Sequence, residues 1–85
     1  MEPELDAKVP PVELLATDAI ARFCLAAHAY MDEDVRPDIP AAETAIDIAS
    51  AMFERMKERL RPEERLAITQ LLTETRMTFV KKRGL

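Results

Sequence analysis

A single glycine, Gly84, stands in a chain of 85 residues, and it comes next to last. Glycine-rich phosphate cradles, hairpin turns and β-bulges therefore have almost no raw material. Cysteine is as scarce: Cys24 alone excludes an internal disulfide, and one cysteine with one histidine, His28, falls short of a zinc-ligand cluster. No alternating apolar and polar run of useful length is present, and no internal repeat. The class left is all-α.

Clustered positive charge is missing too. The formal net charge is −4, with nine acids against three bases in residues 1–39 and seven against nine in residues 40–85. A dedicated phosphate-backbone binder needs a concentrated basic footprint, and the second half is only weakly basic. Met1 to Lys8 is acidic and carries a proline where a secretion signal needs a basic then apolar start, so a cytoplasmic location is expected. Residues 1–10 read as a flexible acidic arm, and residues 11–85 as one three-helix domain.

What is abundant is apolar surface at helical spacing. The stretch from Pro11 to Met31 is long and almost uncharged, with a broad stripe through Val12, Ala16, Ala19, Ile20, Phe23, Ala26, Ala27 and Tyr30, and Leu15 and Met31 on its shoulders. Opposite it, Leu14, Ala21, Leu25 and Ala29 form a narrower second line. Glu13, Asp18 and Arg22 argue against a membrane span. A second helix, over about 40–60, opens on Pro40 with Glu43 near its positive end. Its stripe is Ala42, Ala45, Ile46, Ala49, Met52, Phe53, Met56 and Leu60, small at one end and bulky at the other. Arg61-Pro62 breaks the chain, and a third helix, about 62–83, starts on Pro62, Glu63 and Glu64 and finishes on Lys81, Lys82 and Arg83. Its main face is Ala67, Ile68, Leu71, Leu72, Thr75 and Phe79, with a weaker line through Leu66, Met77 and Val80.

Apolar residues on more than one side of two helices are hard to hide inside one short bundle. A chain this small gains only about 3–5 kcal/mol from a single core, so association is the staple that remains. A helical bundle completed by homodimerisation is expected, with Leu14, Ala21, Leu25, Met52, Met56, Leu66, Met77 and Val80 as the surfaces that meet the second copy or a protein partner. The function that follows is non-catalytic: a regulatory or adaptor protein that sequesters, inhibits or assembles another protein, needing no cofactor or metal.

Several clusters offer sharper chemistry. Cys24, His28 and Asp32 are four apart and stack on one side of the first helix, which suggests a nucleophile with its base or, across a two-fold, a metal half-site. A mid-helix thiol among alanines lacks the cations or helix N-terminus that make a thiolate, so a half-buried structural thiol is expected. The acids from Asp32 to Glu43 echo a calcium loop, but Arg36 takes a ligand position and Pro37 stands where glycine is needed. Glu43, Asp47, Glu54 and Glu58 read as a wet face rather than paired catalytic carboxylates. Arg55, Lys57, Arg59, Arg61, Arg65, Arg76, Lys81, Lys82 and Arg83 give a nucleic-acid reading of the basic half, yet the third helix would approach phosphates with Glu63 and Glu64 first.

Overall fold

The structure is a computed structural model that describes residues 9–34 and 36–84. The expected arm therefore lies largely outside the described residues, as does Val35 in the first connection. Three α-helices follow in order: α1 (Val12–Tyr30), α2 (Ile39–Met56) and α3 (Pro62–Gly84), with a 3-10 turn, Lys57–Arg59, between the last two. Among the described residues there is no strand, and the chain is all-α as its spacing predicts.

Each helix start has a local cause. Pro11 precedes α1, and its carbonyl accepts from the amides of Leu14 and Leu15. Asp38 caps α2, its carboxylate accepting from the Ala41 amide at 3.0 Å, while its own amide donates to the Tyr30 carbonyl at 2.8 Å. One residue thus ties the end of α1 to the start of α2. Glu43, expected beside the positive end of the dipole, lies one turn too late, and Asp38 takes that role. At α3, Pro62 fills N1 and the Glu64 carboxylate reaches back to the Arg61 amide at 2.9 Å, the returning half of a capping box.

α2 ends at Met56, short of the expected Leu60. The chain tightens into the 3-10 turn and Leu60 turns extended, just ahead of Arg61, the residue that Pro62 disfavours in helical geometry. Arg65 closes the break by donating to the carbonyls of Lys57 and Leu60 at 3.0 and 2.8 Å. Leu60 remains buried despite leaving the helix.

α1 and α2 form the closest pair, and α3 lies across one side of both. Small residues set that closeness: Ala16 and Ala27 on α1, and Ala42, Ala45 and Ala49 on α2, are all buried, and helices lined by methyl groups approach with short axial separation. Two apolar clusters fill the space beneath α3. One holds Ile20, Cys24, Ala49, Leu60, Ile68 and Leu72; the other holds Ala27, Met31, Ala42, Ala45, Ile46 and Phe79. The molecule measures 16 Å across its thinnest direction, two helix layers among the described residues.

The roll of α1 differs from expectation. Its buried residues are Ala16, Ile20, Cys24 and Ala27, continued by Met31, so the inward edge is turned by roughly 60° at 100° per residue. Val12 and Tyr30, placed in the core stripe by spacing, are exposed, and so is Leu15 from its shoulder. Cys24 and Met31 take their place. On α3, Ala67 is likewise exposed while Ile68, Leu72, Thr75 and Phe79 are buried.

Replacing a buried interface alanine tests this packing. Ala49→Leu should cost about 1–3 kcal/mol by overpacking, lowering Tm by several degrees in a chain this size. Ala51→Leu, on the exposed side of the same helix, should stay within about 0.5 kcal/mol. Equal urea-unfolding midpoints for the two variants would place the α1–α2 contact elsewhere.

Candidate interaction surfaces

The residues expected to meet a partner fall in separate places. Leu14 and Leu25, with half-buried Ala21, lie on the outer side of α1, while Leu66, Met77 and Val80 line the outer side of α3. The five large ones are 54–70 % exposed. Met52 is half-buried and Met56 buried within this one chain, so Met56 serves its own core first. Both also line a groove.

That groove belongs to a surface the spacing revealed only in part. On the side of the α1–α2 pair away from α3, Val12, Leu15, Tyr30 and Ile48 are 39–51 % exposed. A depression of about 520 Å³ opens there between Leu15 and Ala19 of α1 and Ala51, Met52 and Met56 of α2, with Arg55 at its rim. A second, of about 270 Å³, lies between Phe23, Ala26 and Tyr30 of α1 and Ala41, Thr44 and Ile48 of α2. Together they make one long apolar face on a two-layer fold. The roll of α1 creates it, by bringing Val12, Leu15 and Tyr30 outside. Met52 and Met56, expected to meet a partner, line its α2 wall, and Ile48 and Ala51, which fall off the α2 stripe, extend it.

Cys24, His28 and Asp32 do not converge. Cys24 is buried, whereas His28 and Asp32 are exposed. Thr75, wholly buried, stands between the first two: its hydroxyl donates to the Leu71 carbonyl at 2.8 Å and lies 3.3 Å from His28 Nε2. Burial pushes the Cys24 thiol above its ordinary range, and the Thr75 hydroxyl only partly offsets that. A thiol held protonated in an apolar core is a poor nucleophile and a poor metal ligand. Asp32 instead accepts from the Asp34 amide at 2.9 Å, folding the connection on itself. With Asp38 capping α2, two acids of the calcium-like run are occupied in turning the chain. Among the described residues, no three His, Cys, Asp or Glu side chains gather as a metal would need.

Most of the basic set is engaged inside the molecule. Arg59 pairs with Glu13 at 3.0 Å, Lys57 with Glu54 at 2.9 Å, Lys82 with Glu33 at 2.8 Å and Arg61 with Glu64 at 3.3 Å. Arg76 donates to Ser50, and Arg83 lies over the Phe79 ring at 5.5 Å. The Arg61 amide and guanidinium hold the Glu64 carboxyl below its usual range, and Glu64 in turn raises Arg61. These pairs are exposed and each stabilises little, but they divide the positive charge among helix ends.

Two measurements follow from the buried thiol. Alkylation of Cys24 should be orders of magnitude slower in the folded chain than in urea, and fast native labelling would contradict its burial. A thiol raised on folding keeps its proton longer in the folded state, so stability should fall as pH climbs through the ordinary thiol range, about 8.5. Cys24→Ala should flatten that alkaline slope in urea titrations; an unchanged slope would assign it to another group.

Among the described residues, no helix is long and apolar enough to cross a membrane. No curated protein and no solved structure matches the chain. A family profile does match, over residues 11–81, from the proline that precedes α1 to the last turn of α3. The chain belongs to the family described as "Domain of unknown function (DUF1844)".

Proposed function

We propose that this protein works by protein contact rather than catalysis, as a small cytoplasmic regulatory or adaptor module that sequesters, inhibits or assembles another protein. The observation that carries the reading is the open face of the α1–α2 pair, where Val12, Leu15, Tyr30 and Ile48 stay uncovered beside two apolar grooves. Isolated apolar residues on a surface are ordinary, but a contiguous face of this kind marks a contact site. Its form suits an amphipathic helix laid along the groove with anchors one turn apart. Met52 and Met56 lend adaptable walls. Arg55 at the rim favours a partner segment that carries an acid beside its apolar edge.

The competing readings gain less support. The catalytic or metal reading needs a reactive Cys24, which is buried and proton-bound. Nucleic-acid binding needs free, clustered cations, and Lys57, Arg59, Arg61 and Lys82 are each paired with an acid.

Site-specific photo-crosslinking tests the proposal. With a benzophenone side chain at Ile48 in native-host cells, a discrete adduct with a different protein is expected, reduced at least about tenfold by Leu15→Glu, a loss typical of a charge placed in an apolar contact. No adduct, or adducts only of a size set by two copies of this chain, would contradict it.

A further inference from the structure

Leu66, Gln70, Thr73, Met77 and Val80 recur along α3 at intervals of four, three, four and three. That alternation is the spacing of a coiled-coil seam, which keeps one edge of a helix toward a partner helix. All five are exposed and none is charged, in a chain where charged residues make up 33 %. The buried side of α3, Ile68, Leu72, Thr75 and Phe79, points the opposite way. Thr73, Arg76, Met77 and Val80, with Lys81 at the edge, surround a shallow depression of about 370 Å³. Four residues so spaced are what form the hole that receives one knob from a facing helix.

We infer that this seam pairs antiparallel with the same seam of a second copy, Leu66 of each chain seated in the depression around Met77 of the other. The register follows from matching like with like. When Leu66 faces Met77, Gln70 faces Thr73, so a polar layer at the centre joins amide to hydroxyl, a Leu66–Met77 layer flanks it on each side, and Val80 meets Glu63 only at the two solvent-open ends. A shift by one heptad sets Gln70 or Thr73 against an apolar residue and leaves it unsatisfied. Charge fixes the direction. A parallel pair would bring Arg76 of one chain beside Lys81 of the other and stack both Lys81-Lys82-Arg83 turns together. The antiparallel pair sets Lys81, at the edge of the seam, toward the Glu63 end of the other chain, where Glu63 is held only at 3.8 Å by Arg61. The seam runs about 25 Å from Glu63 to Val80 at 1.5 Å per residue, and it leaves the α1–α2 face free for the partner proposed above.

This inference shares with the preceding one the premise that exposed apolar faces are contact surfaces, but the two fail separately. Sedimentation equilibrium of the full chain should show a concentration-dependent dimer, with Met77→Glu raising the dissociation constant at least about tenfold and leaving the unfolding midpoint of the monomer unchanged. For direction, chains carrying Leu66→Cys alone and Met77→Cys alone are oxidised apart and then mixed, the unsubstituted chain with its buried Cys24 serving as control. A disulfide formed only in the mixture is expected. A monomer at every concentration, or a disulfide between two Leu66→Cys chains, overturns the pairing. Ile48 crosslinks lost while this dimer persists would instead remove the adaptor reading and leave the pairing intact.

Discussion

The close approach of α1 and α2 is the constraint from which the rest of this molecule follows. Ala27 clusters with Ala42 and Ala45, Ala16 and Ala49 are buried as well, and with side chains this short the two helices stabilise each other mainly through many small dispersion contacts and tight exclusion of water. Bulk is then needed only on one side. Ile20, Cys24, Met31, Ile68, Leu72 and Phe79 supply it beneath α3. Among the described residues the other side of the pair receives no third layer, and its apolar residues remain at the surface.

Much of this was readable from the residues alone. The α2 stripe fell where its spacing put it, because alanines and one bulky end against a charged opposite flank leave a single inward direction. Proline and acid at 62–64 marked the start of α3 for reasons that are wholly local. α1 resisted because it is apolar nearly all round, so several rolls bury similar area and local spacing cannot choose among them. Its roll is set at long range, by the alanine surface of α2 and by Thr75, which lies between Cys24 and His28 from a different helix. For the same reason the α1 half of the open face was not legible, whereas Met52 and Met56 on its α2 half were, as were exposed Leu66, Met77 and Val80, which lie opposite the buried residues of α3.

Charge in this chain is organised to finish helices and bind elements together. Asp38, Glu64 and Arg65 close helix ends, and Glu13 and Glu33 reach across to Arg59 and Lys82. The surfaces left uncharged are thereby those where apolar residues gather. A small fold with a thin core gains from covering such surfaces.

The dependence of the fold on the alanine contact is tested most directly by native-state hydrogen exchange resolved residue by residue. Amides in the middle of α1 and α2, around Ala16–Ala27 and Ala42–Ala49, should exchange slowest and only through global unfolding, with α3 opening at lower free energy. If the amides of α3 exchange slowest while α1 and α2 separate first, the account of how this chain holds itself together is wrong.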